Sequence, residues 1–302
     1  MLLVRGSGHR HRGTFYNDVP YVAGGTSEQV FDLHLPVSRY GGAALLSPPY
    51  PLVMFCHGGG WATGNNNMGV NHVVRAMVNE GCAVASLNYT HSGTTGSWPQ
   101  YIYDLKAAIR FLRGNAHRFL LDSARFALWG YSAGAHGAGM CALTANAAPR
   151  DAGMGYATVS EAVVAAALFA CPVDFLSHDA DYVTLGLTPV HTTCAPGSPE
   201  ADLFWGSSNV TLHPCTGAGL TLSAEANLET KLSASSPALY LAHGGQDTTI
   251  PHLQSERLHT LALGLGLDST RDYRSTLNHG TIISDTATLD AAKAWLRTKL
   301  AA

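Results

Sequence analysis

Ser132 sits between two glycines in Gly130-Tyr131-Ser132-Ala133-Gly134, after an apolar run at residues 126–129 and before a stretch of small residues. A serine hydroxyl is a weak nucleophile at neutral pH. It needs a base to take its proton, and the base needs an acid to fix its tautomer and steady its positive charge. The spacing G-x-S-x-G suits a strand that turns sharply into a helix with the hydroxyl at the tip, where the backbone passes too close for side chains at the flanking positions. With a strand pattern before it and a helical pattern after it, Ser132 is read as a nucleophile.

Two partners are then required downstream. Asp247, in "ALYLAHGGQDTTIP", follows an apolar run and precedes a helical pattern; His279, in "DYRSTLNHGTI", follows the last strand pattern. Ser, Asp, His is the chain order of a triad built on such an elbow. Asp174 in "ACPVDFL" is the rival acid, because it also follows a strand pattern, although an aspartate there can equally cap a turn. The chain has 15 histidines, so position alone singles out His279. Activity should fall as pH drops through the histidine range, since a protonated His279 cannot accept the serine proton.

The negative oxygen of a tetrahedral intermediate needs backbone N–H donors at sites that side chains do not block. "FCHGGGWATG" provides them, and Gly59, Gly60 and Ala133 are the expected oxyanion donors. Trp61, Tyr131, Trp98, Phe204 and Trp205 are expected either to line a substrate pocket or to anchor loops beside it.

The elements that must position these residues are legible as an alternation. Apolar or β-branched runs at 30–35, 52–57, 82–89, 126–131, 163–170, 238–244 and 272–277 read as strands. Helical patterns fall at 71–81, 99–116, 132–147, 251–266 and 285–300; Ile102, Leu105, Ile109 and Leu112 mark one face of the second. Strand–helix alternation implies an α/β fold with a mostly parallel sheet covered on both faces. The stretch from about 174 to 225 breaks the rhythm with Gly, Pro, Ser and Thr and reads as a small loop-rich cap or pocket wall. Residues 14–302 read as a single domain, and residues 1–13, rich in Gly, Ser, Arg and His, as a disordered or appended start.

Composition narrows the function classes. The chain of 302 residues is 46% hydrophobic, and 18 Lys+Arg against 21 Asp+Glu give a formal net charge of −3 with no basic run to track a nucleic acid. No apolar run suggests a membrane span, so a small neutral substrate is the expected partner. Cys56, Cys82, Cys141 and Cys171 lie in apolar runs and read as buried hydrophobes, whereas Cys194 and Cys215 lie in the irregular stretch, where a disulfide would staple a long loop. The same stretch carries the sequon Asn209-Val210-Thr211. Metal-ligand spacings are absent, and His9 with His11 fall in the discarded start, so neither metal nor organic cofactor is expected. Compartment and oligomeric state are left open by the sequence.

These motifs together resemble the α/β-hydrolase superfamily, within it the HGGG-bearing esterases and lipases related to hormone-sensitive lipase and to bacterial carbohydrate and feruloyl esterases. The likeness runs from about Tyr16 to Leu300 and includes "LNYTHSG", "LDSARFALWGYSAG", "SPEADLFWG" and "HGGQDTTIPHLQSERL". It implies catalytic roles for Ser132, Asp247 and His279, an oxyanion role for Gly59 and Gly60, and hydrolysis of short-chain or aromatic acyl esters. Two features depart from the pattern: Tyr131 stands where many relatives carry another residue, and residues 207–222 form an insertion. "SAGAH" and "HGGGW" also resemble kynurenine formamidase, which implies an arylformamide hydrolase as the alternative. Some proteins of the fold have lost the catalytic histidine and only bind ligands, so a non-catalytic binding protein is a further alternative, against which the presence of Ser132 and His279 speaks.

Overall fold

The computed structural model describes residues 15–36, 47–68, 70–148 and 151–301; the opening residues, with His9 and His11, lie outside them. Its strands are β1 (Phe15–Pro20), β2 (Val30–His34), β3 (Tyr50–Cys56), β4 (Ala83–Leu87), β5 (Leu121–Tyr131), β6 (Ala165–Phe169), β7 (Ala238–Gly244) and β8 (Ser269–Arg274). They form one sheet in the order β1-β2-β4-β3-β5-β6-β7-β8. The β1–β2 and β2–β4 pairs are antiparallel and the others parallel.

The helices are α1 (Val70–Val78), α2 (Gln100–Gly114), α3 (Ala133–Leu143), α4 (His178–Leu185), α5 (Pro199–Trp205), α6 (Ala218–Ala226), α7 (Leu253–Gly264), the single turn α8 (His279–Ile282) and α9 (Thr286–Leu300). Strand β3 shows why the sheet is covered twice. Its Leu52, Met54 and Cys56 join one core with α2, α3 and α7, while Val53 and Phe55 join the other with α1 and α9. Alternate side chains of a strand point to opposite faces, so a strand apolar at every position must be buried on both. Ile102, Leu105, Ile109 and Leu112 are all fully buried against the sheet, each contributing about 2 kcal/mol of apolar burial. Behind them, buried Arg110 meets Glu161 at 2.5 Å, and Lys106 donates to the Thr144 and Ala147 carbonyls at 2.7 Å, fastening the end of α3 to α2.

Three elements differ from the sequence expectation. Strand β1 lies on the sheet edge with mostly exposed positions, and Asn17 and Asp18 part Tyr16 from Val19, so no apolar run announces it. Strand β8 begins at Ser269, three residues before the run that suggested it, because its partly exposed face carries Ser, Thr, Arg and Asp. The irregular stretch carries three short helices, α4, α5 and α6, between its loops, which no periodicity announces. What α4 and α5 bury includes His178, Asp181, Tyr182 and Glu200, so their inward faces leave no apolar period to read. A disulfide joins Cys194 to Cys215, with Cα atoms 5.3 Å apart, and closes this segment on itself. Cys56, Cys82, Cys141 and Cys171 are free and buried.

Candidate active site

Strand β5 ends at Tyr131 and α3 begins at Ala133, leaving Ser132 alone at the bend with φ 55° and ψ −126°. A side-chain-bearing residue rarely holds such a conformation, and the surroundings enforce it. The Ser132 amide donates to the Phe169 carbonyl at 2.9 Å, while its own carbonyl accepts from Ala135 and His136. A Cβ on Gly134 would lie 2.2 Å from the carbonyl oxygens of Cys56 and His57, and one on Gly130 would lie 2.4 Å from the Gly134 carbonyl. The small neighbours are therefore a steric requirement of the bend.

His279 opens α8, where the Asn278 side chain accepts from the Thr281 amide at 3.0 Å and the Thr281 hydroxyl accepts from the Asn278 amide at 2.9 Å. The Tyr131 hydroxyl donates to the His279 carbonyl at 2.9 Å, tying the turn to the elbow. Nε2 of His279 then lies 3.0 Å from Ser132 Oγ, and Nδ1 lies 2.8 Å from Asp247 Oδ2. Asp247 stands in the loop after β7, its Oδ1 accepting the amides of Thr249 and Ile250 at 2.8 and 2.9 Å. Burial works against charge on this carboxyl, yet the contacts from His243 and His279 outweigh it and hold Asp247 well below the usual carboxylate range. Asp174 instead caps the turn Phe175–Ser177, accepting from the Leu176 amide at 3.3 Å.

His243 escaped the sequence reading. It is fully buried at the end of β7, with Nδ1 2.7 Å from Ser255 Oγ and Nε2 3.0 Å from the Ile250 carbonyl and 3.3 Å from Asp247 Oδ2. With two oxygens facing Nε2, that nitrogen carries the hydrogen and Nδ1 accepts from Ser255. The available signal was a histidine inside an apolar strand run, four residues before the acid.

The glycine loop after β3 passes beside the serine, so that a Cβ on Gly58 would lie 3.1 Å from Ser132 Cβ. Gly59 has φ +128°, and a Cβ there would lie 2.0 Å from the Thr63 carbonyl. The loop closes through the amides of Ala62 and Thr63, both donating to the Gly59 carbonyl. Among the described residues the amides of Gly59 and Gly60 have no such acceptor. Ala133 is the first residue of α3, so its N–H has no partner within the helix. Behind the loop, His57 stacks on Tyr89 with ring centroids 4.4 Å apart.

His136, one turn into α3, was also unread. It is fully buried, receives the Tyr101 hydroxyl at Nδ1 and donates from Nε2 to the Ala226 carbonyl at 2.8 Å, fastening α6 to the elbow helix. Burial lowers both His57 and His136 from the ordinary 6.5 to about 4. Between those values the unfolded chain binds protons that the native state refuses, so stability falls as pH falls, by up to about 3 kcal/mol for each group. Urea unfolding at pH 7, 6 and 5 should show this decline, and His136→Gln should make it shallower. Stability constant across that window would contradict the assignment. Asp247 adds its own loss only at lower pH, below the ordinary carboxylate range.

A pocket of about 320 Å³ opens on the serine, lined by Ser132, His279, Gly59 and Gly60, Trp61, Tyr131 and residues of the segment before and within α5. Two of the five expected aromatics, Trp61 and Tyr131, are therefore at the pocket. Trp98, Phe204 and Trp205 do not line it. Phe204 packs edge-on against both Trp98 and Trp205, and the Gly206 backbone presses on Thr94 and Thr95, so these rings anchor α5 to the loop before α2. In their place the structure brings two polar groups to the pocket, Glu200 and His191, with His191 Nε2 3.3 Å from Glu200 Oε2. Burial opposes charge on Glu200, but the contacts with His191 and His178 prevail and hold it below the ordinary range, while Glu200 raises His191.

Among the described residues no helix is long and apolar enough to cross a membrane, and no group of three or more His, Cys, Asp or Glu is arranged to hold a metal ion.

A protein-family model described as BD-FAE matches residues 43–261. Esterase LipQ of Mycobacterium tuberculosis is 26% identical over 247 residues, covering 82% of this chain and 52% of the relative. The probable carboxylic ester hydrolase LipM of the same organism is 27% identical over 205 residues, covering 68% of this chain and 43% of the relative. The chain thus spans about half the length of the curated relatives it matches. A solved structure of a truncated carbohydrate esterase from gut microbiota superposes with a TM-score of 0.79 at 21% identity, over 96% of this chain and 97% of that one. At that identity the likeness speaks for the fold, while the family model covers the strands and loops that carry both the glycine loop and the serine elbow. The chain belongs to the BD-FAE family, within the HGGG-bearing esterase and lipase branch of the α/β-hydrolases.

Proposed function

We propose that the protein is a serine carboxylic-ester hydrolase acting on short-chain or aromatic acyl esters, with residues 174–225 forming the cap of one catalytic domain. The observation that carries this reading is the hydrogen-bonded series Ser132 Oγ, His279, Asp247, at 3.0 and 2.8 Å, opening on a pocket that Gly59 and Gly60 also line.

His279 takes the Ser132 proton at Nε2 as Oγ attacks the ester carbonyl. The developing negative oxygen turns to the N–H groups of Gly59, Gly60 and Ala133, each worth about 3 kcal/mol of barrier. Asp247 stays ionised and steadies the imidazolium. His279 then returns the proton to the leaving alcohol, leaving an acyl group on Ser132. Water, deprotonated by the same imidazole, releases the acid by the reverse sequence. No metal or organic cofactor takes part in these steps.

The pocket volume lies at the lower end of the range for small-molecule sites, which favours short or aromatic acyl groups. A chromogenic panel of acetyl, butanoyl, dodecanoyl, feruloyl and N-formyl-aryl substrates tests the reading. Butanoyl should be turned over at least tenfold faster than dodecanoyl in kcat/KM; the opposite order would overturn the size argument. A formamide outpacing every ester would reassign the bond cleaved.

A further inference from the structure

Glu200 is 1% exposed, yet it faces the pocket that holds Ser132. Among the described residues neither carboxylate oxygen receives a well-aligned hydrogen bond; His191 approaches Oε2 at 3.3 Å, and His178 Nδ1 stands 3.8 Å from Oε1 while engaging the Thr193 hydroxyl at 3.1 Å. Buried polar groups in native proteins are almost always satisfied, so a charged one open to a binding pocket is a place for a ligand's donor.

The surroundings hold Glu200 firmly. Pro199, its neighbour, lies against the oxyanion loop, 3.5 Å from where a Gly60 Cβ would be. Next to His191, the Val190 amide donates to the Thr248 carbonyl at 2.8 Å, in the loop that carries Asp247. The Thr193 and Cys194 amides donate to the Asp179 carboxylate at 2.9 and 3.0 Å, and Cys194 is disulfide-bonded. The Glu200–His191 pair is thus built between the two catalytic loops and does not hang from a free surface.

We propose that Glu200, seated by His191, is the specificity-determining residue of this pocket, accepting a hydrogen bond from a hydroxyl that the substrate carries within two or three bonds of its ester group. This rests on the ester-hydrolysis reading of the site. A neutral hydroxyl fits better than an ammonium group, because the site is buried and His191 Nε2 already stands 3.3 Å from Oε2, so bringing in a second full cation would cost its hydration for little added attraction. A substrate with a methyl group in place of the hydroxyl leaves the carboxylate with its imidazole contacts alone and shut off from water, a mismatch that discriminates more strongly than a missing methylene.

Two matched pairs test it. Hydroxyethyl acetate against propyl acetate probes the alcohol half, and phenyl glycolate against phenyl propanoate probes the acyl half. Each kcat/KM ratio is divided by the ratio for hydroxide hydrolysis and referred to active sites titrated with an organophosphate. In the wild-type protein one pair should favour the hydroxylated ester by about tenfold to hundredfold. Glu200→Gln should cut that preference to a few-fold, and Glu200→Leu should erase it. Corrected ratios near one in both wild-type pairs overturn the proposal while leaving ester hydrolysis standing, as does a preference that survives in Glu200→Leu. If the leucine variant does not fold, the wild-type ratios and the isosteric glutamine variant still decide. Folded wild-type protein that turns over none of the four esters would overturn the ester-hydrolysis reading itself.

Discussion

Ser132→Ala should lower kcat/KM for any ester the protein hydrolyses by about 10⁵- to 10⁶-fold, the scale on which a triad loses its nucleophile. The hydroxyl's hydrogen-bond partner is the His279 ring, so the free energy of unfolding should change by about 1 kcal/mol or less. That separation of effects makes the variant decisive: circular dichroism and unfolding midpoint unchanged, turnover reduced to the background left by the glycine-loop amides. Retention of even one per cent of activity would move the nucleophile elsewhere.

Replacing Asp247 with Asn should cost about 10⁴-fold in kcat, and the reason is specific to this site. The carboxylate accepts from two imidazoles on one oxygen and from two amides on the other, four contacts that an anion can receive together. An amide has one acceptor oxygen and brings two N–H donors of its own. With the oxygen kept by Thr249 and Ile250, the amide nitrogen would face His279 Nδ1 and His243 Nε2, driving His279 into the tautomer whose Nε2 carries hydrogen and cannot accept the serine proton. Asp174→Asn should stay within about twofold of wild type, since that side chain only caps a turn. The reverse ranking of the two variants would exchange their roles.

The parts of this site that are legible in the sequence are those dictated by local geometry. The elbow demands glycines at 130 and 134 because carbonyl groups pass within touching distance, and that demand is written within five residues. The parallel strands are legible because burial on both faces leaves nearly unbroken apolar runs such as 52–56. Strand β1 and helices α4 to α6 are not, since their inward positions are polar or few. The same limit explains the pocket. Trp98, Phe204 and Trp205 are large and apolar, and nothing in their spacing tells a pocket wall from an anchor. Glu200 and His191 meet through folding of the segment around the Cys194–Cys215 closure, a relation that no short window contains. His243 and His136 are single histidines among many until burial assigns their partners.

The fastening of that segment has a kinetic consequence. The disulfide closes it on itself, while the bond from Val190 to Thr248 ties it to the loop of Asp247 and the His136–Ala226 bond ties α6 to α3. On the ester-hydrolysis reading, a pocket with so moored a wall gains nothing from an oil–water boundary. The protein's velocity with a sparingly soluble ester should track the concentration of dissolved monomer and level off where micelles form, with no upward jump at that point.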